Sequence, residues 1–532
     1  MYHTDNATLN LRPQWCPYCL QAKPSTTSAT LSPSDAWEDV LDAEIEHTEN
    51  LISRLLLERS RLCRKRNELR SPIYSLPPEI LTLIFKFACP PFDFSQAYSL
   101  SSLELVELEY PPSPDIISVL TAVSARWHNV VLSTPSLWTL FVADNDEITI
   151  MGTILSRAGN LPVAASIYFP IDSIGRNFHP VVLASMSLRE QASHIHMLHI
   201  RNASTTWLAE QIPSFVNLEL LCLQSDDSIE DESVLIDSSC IRLVLKNYSC
   251  RFSLSCSKIE VLHLGRMPVD VCLEMLQNCT HLIEFRLRYP CNSRFEEIPL
   301  PSSPFTLPRL KLFEWMVDYE RRVDRAMLQY IRMPALRTLV WNEEDIGFKT
   351  SSSLSTFFSH LPLTLSAVHI VQGSMIHSDL SIFSHVSKLP NVEHLFFRSC
   401  EDDFMDNVFS DLGSGKCLVR NQEIPVFPKL KLIRIDGLFG DIDQAKVFKT
   451  FQWSYSRPSG SLLGSPFRLE FSKNEVDWTP DFKEALMRMI KKGHKVELWE
   501  NSKPVDWQWD EAIYISGLMP PRTSSVLSNE PP

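Results

Sequence analysis

The first strong pattern is a run of regularly spaced apolar residues that neither proline nor glycine interrupts from Ala36 to Leu69. Steps of four and three, or their sums, predict one long amphipathic helix over residues 35–70. Thr48, Arg59 and Arg66 occupy the same seam, which weakens a sustained coiled coil. Self-association through residues 36–69 and packing on the chain's own body therefore both stay open. The apolar seam positions are Leu41, Ile45, Ile52, Leu55, Leu62 and Leu69.

A second helix is predicted directly after Pro72, in the stretch SLPPEILTLIF. Ser75 can cap it, Pro77 and Pro78 suit a first turn where backbone N–H groups are unpaired, and Glu79 favours the positive end of the helix dipole. The segment is apolar nearly all round, so it must be covered on more than one side. One apolar stripe consists of Ile80, Leu81, Ile84, Phe85 and Ala88. Three more apolar residues, Leu76, Leu83 and Phe87, lie off this stripe.

A further helix is predicted after a Pro- and Ser-rich insertion at about 90–114, in DIISVLTAVSARWHNVVLSTPSLW. Its apolar residues recur at helical spacing from Ile117 to Val131, and Pro135 closes it before Leu137 and Trp138. Two short apolar helices with an indole anchor predict a small helical bundle.

From about residue 190 onward a six-residue pattern recurs in which positions one, four and six are large and apolar. This is the L-x-x-L-x-L signature of leucine-rich repeats, in which the last apolar pair lies on a strand with one buried face. Helix-like stretches at 269–279 and 324–333 lie between copies. The copies begin at Ile195, Leu218, Ile259, Leu282, Leu310, Leu336, Val392 and Leu430, with weaker ones at Ile241 and Leu365.

After about 455 the pattern changes to FRLEF, TPDFKEALMRMIKKG and HKVELW. Thr479 can cap a helix, Pro480 suits its first turn, and Gly493 can end it. We therefore expect a strand, a helix and a strand that cap the last open strand edge over 456–517.

Charge and composition narrow the classes of function. A net charge of −14 over 532 residues, with no basic face of convincing size, argues against nucleic acid as a partner. The first 30 residues lack a signal-peptide pattern, and no apolar window of 18 residues predicts a membrane span. Thirteen cysteines without a regular framework fit reduced thiols. We expect a cytoplasmic or nuclear protein that is not secreted.

Candidate enzyme chemistry is sparse. Cys16 and Cys19 have zinc-ligand spacing but supply two of four ligands, and His194, His196 and His199 lack a completing acid or cysteine. The sequence contains no P-loop, no G-x-S-x-G and no H-E-x-x-H. A zinc-dependent enzyme is the weakest of three hypotheses, and we expect neither a catalytic site nor a cofactor.

The ordered set of motifs between 71 and 142 resembles an F-box of the type common among fungal F-box proteins. The set runs from Leu76-Pro77-Pro78-Glu79-Ile80-Leu81 and Ile84-Phe85 to Val123-Ser124-Arg126-Trp127 and Pro135-Leu137-Trp138. A preceding charged helix and a closing STPSLW are typical of that family. The segment at 90–114 is longer than in compact F-boxes.

The resemblance implies a docking role rather than catalysis. F-boxes bind a Skp-type adaptor, which links them to a cullin and a RING-type ubiquitin ligase. Ile84 and Trp127 have an alternative role, because both could fill the bundle's own core. Carried over residue by residue, the adaptor-binding positions are Leu76, Pro77, Glu79, Ile80, Leu81, Ile84 and Trp127.

The sequence thus predicts an α+β multi-domain chain: an N-terminal helix, a small all-α F-box bundle, and an α/β leucine-rich-repeat-like solenoid. The expected function is a substrate-receptor subunit that binds an unidentified target protein through the repeat surface. The alternative is a scaffold that binds no ligase and self-associates through its N-terminal helix. The predicted parts are a disordered tail at 1–34, the helix at 35–70, the F-box at 71–142, the solenoid at 143–455, the cap at 456–517 and a disordered tail at 518–532.

Overall fold

The computed structural model describes residues 33–89, 115–143 and 151–169, and stretches separated by gaps between 188 and 505. The predicted tails at 1–34 and 518–532 fall outside these residues, apart from 33 and 34. The chain divides into two compact units with the boundary between Leu81 and Thr82.

Helix α1 spans Pro33–Arg70, which confirms the long helix predicted between 35 and 70. A 3₁₀ turn, Pro72–Ser75, follows it directly, as expected where a proline removes the next backbone donor. Ser75 does not cap the next helix as predicted. Its hydroxyl instead donates to the carbonyl oxygen of Pro72 at 2.6 Å, closing the 3₁₀ turn on itself.

Three short helices follow, α2 (Pro78–Ala88), α3 (Asp115–Val123) and α4 (Ala125–Leu132). The pattern from Ile117 to Val131 predicted one helix, and this was wrong. Ser124 has extended backbone angles and its hydroxyl accepts a hydrogen bond from the N–H of Trp127, which starts a new helix there.

Twelve α-helices occur within the described residues. The helix predicted at 269–279 is present, whereas the end of the one predicted at 324–333 forms a short strand, Ile331–Arg332. The remaining helices are α5 (Met151–Ala158), α6 (Thr205–Gln211), α7 (Val269–Asn278), α8 (Ser352–Ser359), α9 (Ile382–Val386), α10 (Asp402–Ser414), α11 (Gln444–Ser456) and α12 (Pro480–Lys491).

A 15-stranded main sheet runs through the second unit, counted over its described residues. Its strands follow one another in chain order, and neighbours are parallel except for the last pair. The strands are β1 (Leu140–Ala143), β2 (Val163–Tyr168), β3 (Ile195–Arg201), β4 (Leu220–Gln224), β6 (Arg242–Lys246), β8 (Val261–Gly265), β9 (Glu284–Arg288), β11 (Leu312–Met316), β13 (Thr338–Asn342), β14 (Ala367–Val371), β15 (His394–Arg398), β18 (Leu432–Asp436), β19 (Phe467–Ser472), β20 (Val496–Glu500) and β21 (Lys503–Pro504).

Three two-stranded ladders lie outside the main sheet. Two are parallel and one is antiparallel. They pair β5 (Val234–Ile236) with β7 (Phe252–Leu254), β10 (Phe305–Thr306) with β12 (Ile331–Arg332), and β16 (Lys416–Val419) with β17 (Gln422–Pro425).

Every six-residue copy from the sequence supplies one strand of the main sheet. Leu221 and Leu223, the fourth and sixth residues of their copy, are fully buried on β4, and the same holds for Phe285 and Leu287 on β9. Phe313 of β11 contacts Phe357 of α8 at a ring distance of 6.0 Å. We call this side of the sheet the helix-covered face, and the opposite side the second face.

The strands begin with one recurring hydrogen-bond arrangement and end with another. At the start, the carbonyl oxygen before one strand accepts two consecutive N–H groups of the next copy, as Ile283 does from Lys311 and Leu312. At the end of several strands, the residue that follows has a positive φ and donates its N–H to the last carbonyl of the next strand, as Gln372 does to Arg398. The strands therefore begin and end level with their neighbours.

The predicted strand, helix and strand after residue 455 are present as β19, α12 and β20. The hydroxyl of Thr479 accepts from the N–H of Phe482, and Gly493 has a φ of +86° just after the helix. Both strands continue the main sheet, since β19 pairs with β18 and β20 with β19, all parallel. The chain is thus a mixed α/β protein with a long parallel sheet, which agrees with the predicted α+β class.

Gly415 offers a direct test of packing at the end of α10. Its φ is +73°, and an added Cβ would lie 2.7 Å from Cδ1 of the Trp453 ring. We expect Gly415→Ala to lower the free energy of unfolding by about 1–2 kcal/mol for the backbone conformation and by about 1–3 kcal/mol more for overpacking.

Gly493→Ala is the matched control, because its φ of +86° is similar and an added Cβ meets nothing within 4 Å. Urea unfolding should show the smaller backbone cost alone. Equal losses in the two variants would show that Trp453 does not limit the space at Gly415.

Candidate functional site

The start of α2 brings the leading residues of the F-box-like segment to the surface. Pro77, Pro78 and Glu79 are exposed and Leu76 is half-buried. The carbonyl oxygen of Pro77 accepts the N–H groups of Ile80 and Leu81, both at 3.1 Å, so the proline sets the first turn. The predicted positions Leu76, Pro77 and Glu79 therefore lie where another molecule can reach them.

The predicted apolar stripe of α2 divides between two sides of the helix. Leu81 and Phe85 are completely buried, whereas Ile80 and Ile84 are about 40% exposed. Leu83 and Phe87, which the sequence placed off the stripe, are 50% and 85% exposed. We call Ile80, Leu83, Ile84 and Phe87 the exposed face of α2.

Sequence reasoning missed Leu83 and Phe87 as surface candidates. Both belong to a helix that is apolar nearly all round, and periodicity could not decide which apolar side stays in water. Exposed patches of this kind mark interaction sites more often than isolated surface leucines do.

Trp127 lies against Phe85, with a distance of 4.9 Å between the ring centroids. It is half-buried and starts α4, where its N–H is bound by Ser124. Trp138 is buried nearby in sequence, and its indole N–H donates to the carbonyl oxygen of Val131 at 2.9 Å. Of the predicted adaptor-binding residues, Leu81 and Trp127 thus take packing positions, while Ile84 is exposed.

A cluster of charged side chains lies on the second face of the main sheet, on strands β8, β9 and β11. His263, Arg286 and Glu314 are direct neighbours across these three strands. The side chain of Glu314 is 2% exposed, and it accepts from Arg286 Nη1 at 3.3 Å and from Arg288 Nε at 2.5 Å. Glu284 accepts from Arg286 Nε at 2.7 Å.

The hydrogen bonds of this cluster change how its groups titrate. Burial alone raises the pKa of Glu284, but the hydrogen bond from His263 and the charge of Arg286 outweigh it and bring the pKa to about 2. Burial lowers the pKa of His263, against the opposing effect of its hydrogen bond with Glu284 at 2.8 Å. A neutral His263 therefore donates Nε2–H to an ionised Glu284.

The predicted histidine group does not converge on one point. His194 ends a 3₁₀ turn before β3, so it does not share a strand face with His196. His196 contacts Glu219 at 3.1 Å, and His199 Nδ1 contacts the hydroxyl of Ser166 at 2.9 Å. Within the described ranges, no group of three or more His, Cys, Asp or Glu side chains is placed to hold a metal ion. Cys16 and Cys19 lie outside these ranges.

Among the helices of the described part, none has the length and apolarity that a membrane crossing requires. No protein-family model matches the chain, and no curated sequence does. A structural-genomics crystal structure of a Bacteroides fragilis protein is similar over 65% of this chain and 76% of its own, at 12% identity and a TM-score of 0.30. That score is too low to support an inference about fold or function.

Glu314 is the residue on which the buried charge cluster depends. Glu314→Gln removes the charge that faces two buried guanidinium groups, and we expect a loss of about 3–5 kcal/mol in the free energy of unfolding. Urea unfolding of the full chain, followed by tryptophan fluorescence, measures the effect.

The control is Glu393→Gln, because Glu393 binds Lys431 at 2.7 Å in a pair that is 33% and 46% exposed. Removing this partly exposed pair should cost less than about 1 kcal/mol. A Glu314 variant as mild as the control would show that the cluster adds little stability.

His199 makes stability depend on pH. Its pKa is lowered to about 4 by burial and by the charges of Arg201 and Lys246, from 6.5 when unfolded. The unfolded chain therefore takes up the proton at a higher pH than the folded chain does. For this reason the contribution of His199 to the free energy of unfolding falls by about 2 kcal/mol between pH 7 and pH 5. The melting temperature should drop less over this range in His199→Asn than in the natural chain. Equal drops in melting temperature in the two chains would contradict the lowered pKa of His199.

Proposed function

We propose that the chain is an F-box substrate-receptor subunit of a Skp/cullin/RING ubiquitin ligase. The observation that carries the proposal is the exposed face of α2, which begins directly after the Leu76-Pro77-Pro78-Glu79 turn. In the family that the sequence resembles, this turn and the helix after it contact the adaptor. Four large apolar side chains on one exposed helix side support that use of the segment.

The physical reason is the cost of leaving such a surface in water. Covering apolar area contributes roughly 25 cal/mol per Å², and aromatic side chains at the centre of an interface contribute most. Phe87, at 85%, is the most exposed of the large apolar side chains described in the second unit, and Leu83 is 50% exposed. We propose that the Skp-type adaptor covers them together with Ile80 and Ile84, while Leu81 and Trp127 hold the helix in place.

We further propose that the main sheet belongs to a leucine-rich-repeat-like solenoid that binds the target protein. The single-file strand order and the repeated strand ends support this architecture. The central charges on the second face are bound to one another and buried. Arg434 on β18 and Arg468 on β19 are about 40% exposed, and Arg468 lies 4.0 Å over the Trp499 ring. These last strands are the better target-binding region.

In this proposal the chain carries no catalytic site and no cofactor, and the ubiquitin transfer occurs on other subunits. The ligase would act in the cytoplasm or the nucleus. The identity of the target depends on the second-face side chains, which the fold alone does not specify.

A scaffold that binds no ligase is the second candidate function. The observation that favours it is the exposed seam of α1, which is suited to self-association. The two functions differ in one measurable property, since only the receptor binds a Skp-type adaptor.

Adaptor binding is tested with the purified full chain and a recombinant Skp-type adaptor. We expect Leu76→Ala combined with Pro77→Ala, and separately Leu83→Glu, to weaken binding at least tenfold, because each removes or charges exposed contact surface. Calorimetry measures the dissociation constants.

The matched control is Leu363→Glu, since Leu363 is 64% exposed in the turn before β14. It introduces the same charge and should leave binding unchanged. Failure of the natural chain to bind the adaptor would refute the receptor function and leave the scaffold. Unchanged binding in both test variants would refute the docking site on α2.

A further inference from the structure

Helix α1 leaves a large apolar surface in water. Among its described side chains, from 40 to 70, all are exposed except Cys63, which is half-buried. Surface of this size marks an interaction site. The large apolar residues, each at least 48% exposed, are Val40, Leu41, Ile45, Leu51, Ile52, Leu55, Leu56, Leu57, Leu62 and Leu69.

The charges of α1 are separated along its length. Residues 33–50 contain seven acidic residues and no lysine or arginine, whereas residues 51–70 contain seven basic residues and two acidic ones. The helix dipole does not explain this separation of charges, because its effect fades within the first and last turns of a helix. The separation extends over about five turns at each end.

We propose that two copies of this chain pair through α1 as an antiparallel coiled coil. This orientation brings the acidic half of each helix against the basic half of the other. A parallel pair would instead place like-charged halves together. It would also set Arg59 and Arg66 of the seam against their own counterparts, which costs stability.

Heptad spacing allows antiparallel registers that differ by seven residues, and we propose the one that places the apolar stretch 51–57 at the centre. Seam residues of one helix face seam residues of the other when their residue numbers add up to 107. Ile52 then faces Leu55 of the second copy, and Ile45 faces Leu62. Thr48 faces Arg59, so these two polar positions meet each other, whereas the third, Arg66, faces Leu41. The overlap, residues 37–70, is about 50 Å long and spans nearly five heptads.

The same register explains the flanking residues. The most apolar stretch, 51–57, lies at the centre and meets its own copy. Glu44 lies beside Lys65 of the second copy. In a parallel pair Lys65 would lie beside Arg70 instead, so substitutions of Lys65 distinguish the two orientations.

Sedimentation equilibrium of the full chain at low salt tests the pairing. We expect a dimer, and Lys65→Glu should raise its dissociation constant about tenfold, since two attractive pairs become repulsive. Glu44→Lys added to Lys65→Glu should restore the affinity. Arg64→Glu is the matched control, because position 64 lies on the outer side of the pair and should leave the affinity unchanged.

Carbodiimide cross-linking of mixed ¹⁴N and ¹⁵N chains tests the orientation. A link between Glu44 and Lys65 cannot form within one helix, where the two residues are about 32 Å apart. Its appearance in mixed-isotope peptides would establish the antiparallel pair. A monomer at 50 μM, or a dimer that Lys65→Glu tightens, overturns the proposal. Adaptor binding is measured separately, so the two proposals can fail independently.

Discussion

The main sheet depends on the hydrogen bonds that join consecutive strands at their two ends. At the start of a strand, one carbonyl oxygen accepts two N–H groups of the next copy, and at the end a residue with positive φ reaches the next strand's last carbonyl. Both bonds fix the level of each strand relative to its neighbour. The leucine and phenylalanine pairs therefore fall into continuous rows under the helices, and the second-face residues fall into rows of their own.

The sequence located the strands well because their signal is local. The alternation around Leu221 and Leu223 describes a strand with one buried face, whichever strand lies beside it. The positive φ after several strands could not be predicted in this way. The residues that adopt it include Arg266, Tyr289 and Gln372 rather than the glycines that normally mark a positive φ. Neighbouring strands impose that conformation on them.

The charge cluster escaped sequence reasoning for a related reason. Glu284, Arg286 and Arg288 alternate on one short strand and resemble solvated positions. Arg286 and Arg288 are buried, and both bind Glu314 on a strand 25–30 residues further along the chain. On α2, periodicity found the helix but could not tell which apolar side remains exposed. Large apolar side chains remain exposed along α1 and on the exposed face of α2.

The strands follow one another in chain order, and this order also affects how the chain folds and how it responds to tension. Most sheet contacts join segments 20–40 residues apart, so loop closure costs little entropy and folding can start at several places along the sheet. A defect in one strand disturbs mainly the two strands beside it. Under tension applied at its ends, such a sheet would release its strands one after another rather than fail in a single step.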